Sequence, residues 1–508
     1  MGAESRTAAR TSGVTLAACG LAAVVALACF YAWYGLLSLP FFGWDAYPLI
    51  ASAHVEGVGD VGKLLTAELM DGRYPLGDFY RPWVQLSFAI DRALWGVEPF
   101  GFHLTDLSLW AAASLATFVL ARTLFGPRAL AAALFSGLFF ALHPLGWEVL
   151  PAPARRADLM AVLFTVAAFA CVPRTERPAR LRAWLAGLFA MLACGSKESG
   201  VLVAPLLFVF FALARPAVGG GASLGPRLRA ALAFAAPALV STALYLAARF
   251  VVIGGLGGGA RASVLGGFFQ MHEVMASAAA ALFPPFGTDV SAHTSDLLTV
   301  LGIVTLIGAA VALSRGKAEP SLAERRPLTG LLFWAGLTIF VTGVSGDKRA
   351  WYALPFLPIA ALLVGYVAEH ALALQRRGAK LGGAALLGLA LLLLAYPVRS
   401  GGLVRETPDS IALGARSIQD FFARFDTQLL LSRAGQTLTV EALRPELVFT
   451  ANGREKRLAL HTDYSVRAYA ELRYPGVKLR IERVTATPPE PAASDERVVV
   501  LAFPPAAN

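Results

Sequence analysis

Apolar stretches separated by short connectors fill most of residues 14–397, and this alternation leaves few architectures open. A bilayer core takes roughly twenty residues of helix to cross, and within it each backbone N–H and C=O must be paired inside its own segment. Counting stretches by that rule gives about eleven spans. They fall near 14–39, 103–124, 129–145, 157–172, 181–196, 199–214, 230–253, 297–314, 328–345, 352–372 and 381–397. At 56% hydrophobic and 15% charged residues over 508 positions, no soluble domain of this size fits. The expected fold is an all-α polytopic membrane protein carrying a small, mainly β domain at its C-terminus.

The net charge of +10 does not point to nucleic acid, because Lys and Arg lie between apolar spans and form no continuous stripe. Basic groups at Arg6 and Arg10, Arg122 and Arg128, Arg174 to Arg182, Arg215 to Arg229, Arg315 to Arg326, and Arg376 to Lys380 fall on every second connection. Positive loops stay cytoplasmic, so the N-terminus is expected in the cytoplasm of an inner (plasma) membrane. An odd number of spans then puts the tail, 398–508, in the extracytoplasmic (periplasmic) space. The four cysteines, at 19, 29, 171 and 194, sit in or beside apolar segments without metal spacing, as small buried hydrophobes do. The apolar run continues past Cys19, so a retained signal anchor is expected there.

Two outer connections are long. The first, about 40–102, shows its own apolar periodicity at Leu64, Leu65 and Leu69 and predicts short surface-lying helices. The second, about 254–296, predicts another near Gly267 to Phe283. In the tail, alternating segments flank Asn452-Gly453, a hairpin signal, and a helix is expected over Ser410 to Phe425.

Ionisable clusters gather on the outer face, which the charge rule leaves poor in cations. Asp45 follows Trp44 just beyond the first span. Tyr80-Arg81-Pro82 lies in the first outer loop. His143 to Asp158 brings together an imidazole, two acids (Glu148, Asp158) and two guanidiniums (Arg155, Arg156). Pairing of Arg156 with Asp158 is one bland reading, but Asp158 opens an apolar span, and an acid at that depth needs a partner or a function. In Ser196-Lys197-Glu198, structural pairing and phosphate binding are equally open. Before the tenth span, Asp347-Lys348-Arg349-Ala350-Trp351-Tyr352 joins a phosphate-gripping guanidinium to aromatics suited to an interface or a sugar face. Together these supply a base and several cations, which suits sugar transfer from a lipid-linked phosphate. The phosphate leaves without first being protonated, so one general base is enough.

The order of these motifs resembles the GT-C membrane glycosyltransferases, especially the protein O-mannosyltransferase-like and tetratricopeptide-carrying transmembrane O-mannosyltransferase families. Tyr80-Arg81-Pro82, Leu86 to Asp91, Leu94-Trp95-Gly96 and Gly101-Phe102-His103-Leu104 carry the resemblance. It continues through Leu124-Phe125-Gly126, Ala141-Leu142-His143-Pro144 with Glu148, Arg156-Ala157-Asp158-Leu159, Ser196-Lys197-Glu198 and Arg349 to Pro355. The match is good over about 40–210, patchy to about 400 and absent from the tail.

This resemblance implies an inverting transferase with a GT-C-like domain over 1–397, moving a sugar from a polyprenyl-phosphate donor to a protein, lipid or glycan acceptor. Asp45 would be the catalytic base. Tyr80, Arg81, Arg156, Lys197, Arg349 and Tyr352 would meet the donor phosphate, and His103, His143, Glu148, Asp158, Glu198 and Trp351 would shape the pocket. No cofactor beyond the donor lipid is implied; Asp45 with Glu148 offers only a dispersed pair for a divalent cation. Relatives often carry two acids in the first loop where Trp44 precedes Asp45, and Asn and His where Asp106 and Trp110 stand. No tetratricopeptide repeats follow. The competing readings are a transporter or lipid-linked sugar flippase, and a catalytically degraded relative whose tail is a binding module. Clusters at span ends rather than at a midplane, and the lack of an internal repeat, weigh against transport.

Overall fold

The computed structural model describes residues 2–43, 45–73, 78–172, 180–214, 224–255, 282, 322–345 and 350–376, single turns between 380 and 391, and in the tail 408–430, 437–443, 446–451, 454–459, 463–474, 478–482 and 496–502. The span expected at 297–314, most of that at 381–397 and nearly all of the second long connection lie outside the described residues.

Among the described residues, helices are α1 (Gly2–Trp33), α2 (Ala46–Ser52), α3 (Val58–Thr66), α4 (Pro82–Trp95), α5 (Pro99–Phe125), α6 (Leu130–Leu142), α7 (Gly146–Val149), α8 (Arg156–Ala170), α9 (Arg180–Ser196), α10 (Val203–Ala214) and α11 (Leu224–Ile253). Then follow α12 (Leu322–Ser345), α13 (Leu357–Arg376) and, in the tail, α14 (Pro408–Leu430) and α15 (Asp463–Arg473). Among the described residues, four stretches are long and apolar enough to cross a membrane: Gly13–Ser38, Pro99–Phe125, Gly225–Ile253 and Trp351–Gln375. Shorter apolar helices, such as Leu130–Leu142 and Gly330–Thr342, pack among them. Large apolar side chains stand exposed along α1 (Leu16, Leu27), α9 (Leu181, Trp184) and α11 (Leu244, Val251). Water would penalise that surface and lipid does not, so the chain is an integral membrane protein.

Small residues set how closely the helices pack. A Cβ on Gly365 of α13 would lie 2.4 Å from the Ala132 carbonyl oxygen of α6 and 2.1 Å from Ser136 Oγ, so the two backbones touch only because this side chain is missing. We expect Gly365→Val to destabilise the detergent-solubilised protein by about 1–3 kcal/mol, the usual cost of overpacking, seen as a lower thermal midpoint.

The end of α6 shows how polar ends are satisfied in this apolar setting. The last carbonyls of a helix lack intrahelical donors, and here the indole nitrogens of Trp33 (2.7 Å) and Trp110 (3.1 Å) both donate to Ala141 O. Trp110 therefore caps α6 at the position where relatives were expected to carry His.

The short helices foreseen in the first long loop are α2, α3 and α4. Pro82 and Pro99 sit at the first turns of α4 and α5, where a missing N–H costs nothing, and Gly96 (φ 65) ends α4 in a conformation that side chains resist. At the start of α3, the Asp60 carboxylate accepts from Lys63 and from the Glu56 and Gly57 N–H groups, which hold its carboxyl down at about 2. Leu64 and Leu69 face inward onto Phe41, Ile50 and Phe88. Arg92 of α4 donates to the Ile50 and Ala51 carbonyls at the end of α2, fastening the two helices.

The described tail holds two helices and five short strands. Strand β1 (Thr437–Leu443) lies between β4 (Lys478–Glu482) and β5 (Glu496–Ala502), parallel to both. Strands β2 (Glu446–Ala451) and β3 (Arg454–Ala459) pair antiparallel on either side of 452–453, as Asn452-Gly453 predicted.

Candidate functional site

The ionisable residues at the ends of the apolar helices sort into separate assemblies. The most enclosed surrounds Arg156, the first residue of α8, whose side chain is 0% exposed. Its Nε donates to Asp106 Oδ1 (2.6 Å), and its Nη2 reaches Asp91 Oδ2 (2.6 Å) and Phe102 O (3.2 Å). Nη1 meets Ser87 Oγ at 3.3 Å, and the guanidinium lies 4.4 Å over the Phe88 ring. One planar cation thus ties α4, α5 and α8 together with no face turned outward. The pairing of Arg156 with Asp158 left open by the sequence is not what forms. Asp106, at a position where relatives were expected to carry Asn, supplies one of its partners.

Asp158, in the first turn of α8, pairs instead with Lys197 Nζ. Lys197 also lies 4.5 Å over the Tyr352 ring. Its neighbour Glu198 faces a different way: Arg81 grips it through Nε (3.1 and 3.2 Å) and Nη2 (2.8 Å), and Arg249 of α11 approaches at 3.4 Å. Adjacent in sequence, Lys197 and Glu198 therefore serve separate ion pairs. Burial alone would discourage the Arg81 cation, but the Glu198 carboxylate outweighs it and holds that guanidinium above its ordinary pKa.

The remaining expected residues have structural partners. Tyr80 is buried, donates to Leu65 O (2.8 Å) and stacks on Tyr245 at 5.8 Å. His103 sits between the carbonyls of Leu39 (3.1 Å) and Leu150 (3.3 Å). At His143, Nδ1 accepts from the Leu145 N–H (3.2 Å), so Nε2 carries the proton given to Leu282 O at 3.0 Å. Glu148 meets Arg155 through both its carboxylate (3.4 Å) and its carbonyl, and the Arg155 guanidinium lies 3.8 Å over Trp351. Arg349 lies outside the described residues, as does Trp44.

Asp45 caps the start of α2, half-buried, without a side-chain hydrogen bond to that helix. Its Oδ1 accepts from the Tyr464 hydroxyl of the tail at 2.5 Å. No sequence pattern announced this contact, since the two residues are 419 positions apart. Asp91, Asp106 and Arg249 were also missed as site residues, although an acid inside an apolar span is itself a signal that a partner exists.

A groove, continuous with the outside, opens beside the Asp158 and Lys197 pair. Asp158, Lys197 and Ser199 stand at one end, and Ala161, Val162, Leu206 and Trp334 line its walls. From Asp158 to Thr165 it follows α8 for about 10 Å of helix rise. The walls are mainly apolar, with the hydroxyls of Thr165, Thr338 and Thr342 among them.

Four helices among the described residues long enough to span a bilayer, together with large apolar side chains exposed along them, define an integral membrane protein, and buried ion pairs with a groove beside one of them mark its candidate site. Comparison with known proteins narrows the class. The chain is 32% identical to protein O-mannosyl-transferase Tmtc1 of Drosophila melanogaster over 145 residues, and 31% identical to protein O-mannosyl-transferase tmtc2 of Xenopus laevis over 137. Those matches cover 28% and 26% of this chain and only 16% of either relative. Among solved structures, ArnT from Cupriavidus metallidurans in the apo state superposes with a TM-score of 0.51 at 16% identity, covering 92% of this chain and 86% of ArnT. No protein-family model matches the chain. The resemblance to GT-C membrane glycosyltransferases carried by the motifs thus stands: its sequence matches are protein O-mannosyl-transferases, and ArnT shares its fold.

Proposed function

We propose that this chain is an integral-membrane inverting glycosyltransferase that moves a sugar from a polyprenyl-phosphate donor to an extracytoplasmic acceptor. The observation that carries the reading is the groove, with a cation at its polar end and apolar walls between helices. An ArnT structure of the same fold, at TM-score 0.51 and 15% identity, is bound to undecaprenyl phosphate, which supports a carrier of that kind here. The reading places the groove mouth and the tail on the extracytoplasmic side, the N-terminus in the cytoplasm and about eleven spans between them.

In the reaction, an acceptor hydroxyl attacks the anomeric carbon as the bond from that carbon to the phosphate oxygen breaks. The hydroxyl proton passes to Asp45, and the carrier phosphate leaves with the bonding electron pair and one more negative charge. Lys197 meets that charge at the groove mouth, with Asp158 holding its ammonium in place and the Tyr352 ring beneath it. Arg349 joins Lys197 in the proposal by its motif. Arg81, held by Glu198, frames the mouth from the first loop, and Arg156 acts as the clamp beneath it rather than as a phosphate ligand.

The test is incubation of the purified full chain in nanodiscs with radiolabelled polyprenyl-phosphate sugars and membrane extract. Donor breakdown or sugar transfer is expected. Movement of the labelled lipid across the bilayer with no covalent change, whichever donor is offered, would replace this reading with transport.

Hydrogen bonds to charged groups are worth about 1.5–3 kcal/mol, so loss of the Lys197 cation is expected to lower kcat/KM for the donor roughly 10- to 100-fold. Lys197→Met combined with Asp158→Asn makes the cleanest test, since it strands no carboxylate. Donor titrations, with thermal melting as the folding control, measure it.

A further inference from the structure

The tail is seated directly on the first long loop. Tyr47 of α2 lies 4.7 Å from Phe422 of α14 and 4.9 Å from Tyr469 of α15, centroid to centroid. Phe42 and Ala152 pack against Ile411 and Ala415 of α14, and Arg73 pairs with Glu471 of α15 at 3.0 Å. At the centre of this seat, the Tyr464 hydroxyl donates to Asp45 Oδ1 at 2.5 Å.

This contact has a different character from the rest. The aromatic packing and the Arg73 pair are sufficient to dock two helices. Hydrogen bonding a phenol to the carboxylate that caps α2, a carboxylate that makes no capping bond to its own helix, adds something that docking does not require. The geometry points to Tyr464 as a positioning residue for Asp45: the tail reaches across the first loop to fix the plane of the carboxyl group and to stabilise its ionised form, completing the site within one chain. This inference rests on the reading of Asp45 as the base.

A donor to a carboxylate lowers its proton affinity, and loss of that donor raises it. In Tyr464→Phe, kcat is therefore expected to fall roughly tenfold through lost orientation, with the acid limb of the pH–rate profile moving to higher pH. Tyr464→3-fluorotyrosine keeps the shape with a stronger donor, and should move the limb to lower pH in a folded protein. Other charged groups share this neighbourhood: Asp426 on α14, Glu471 and Arg473 on α15, Arg92 on α4, Asp71 and Arg73 on the loop before it, and Arg155 ahead of α8. Of the acids among them, Asp426 and Glu471 are the tail's own; Asp426 is held by the Tyr469 hydroxyl and Glu471 by Arg73, so Asp426→Asn and Glu471→Gln should each leave the limb where it is.

A Tyr464→Phe protein with wild-type rate and limb would overturn the inference. So would a fall in rate with the limb unmoved in both Tyr464 variants, which would reduce the contact to docking. A fully active Asp45→Asn protein would instead remove the base assignment itself, a separable failure.

Discussion

Asp45→Asn is expected to leave this protein folded and to cut sugar transfer by two to four orders of magnitude, the usual contribution of a positioned general base. The substitution keeps the side chain's shape and an oxygen able to accept from Tyr464, and it removes no capping bond from α2, since Asp45 makes none there. What it removes is basicity, and with it the path for the acceptor's proton. Transfer rates of the two proteins, compared at equal thermal midpoint, measure this directly. An Asn protein with undiminished turnover would place the base elsewhere.

The second large effect is on stability. Arg156→Met is expected to cost about 3–5 kcal/mol, because it leaves Asp91 and Asp106 enclosed without their shared cation. Melting or denaturant titration in detergent reads the loss. Much of it should return when Asp91→Asn and Asp106→Asn are added, because the stranded charge, rather than the absent guanidinium, dominates such penalties. If the triple variant proves no more stable than the single one, the clamp contributes mainly through packing over Phe88.

What could be read from the chain alone followed the strength of each local signal. Apolar length announced α1, α5, α11 and α13, because a membrane imposes the same length on any helix that crosses it. Asn452-Gly453 located the β2 and β3 hairpin through turn chemistry that needs no tertiary context. The ionic residues were visible as clusters, but their partners were not. Lys197 and Glu198 looked like a pair by adjacency, yet Lys197 turns to Asp158 and Glu198 to Arg81, 117 positions away. Pairing across a helical bundle depends on which helices become neighbours, and nothing local to either residue encodes that. The Tyr464 contact lay further still from anything that periodicity or motif could indicate.

The Arg156 clamp also bears on how the chain is made. Asp106 is synthesised 50 residues ahead of the guanidinium that neutralises it. At elongation rates of about 5–20 residues per second, α5 would wait several seconds, with an acid in its apolar length, before α8 arrives. During that interval α5 is a poor candidate for release into lipid by itself. It should remain beside the insertion machinery until α8 follows, and the two helices would then leave together as a unit.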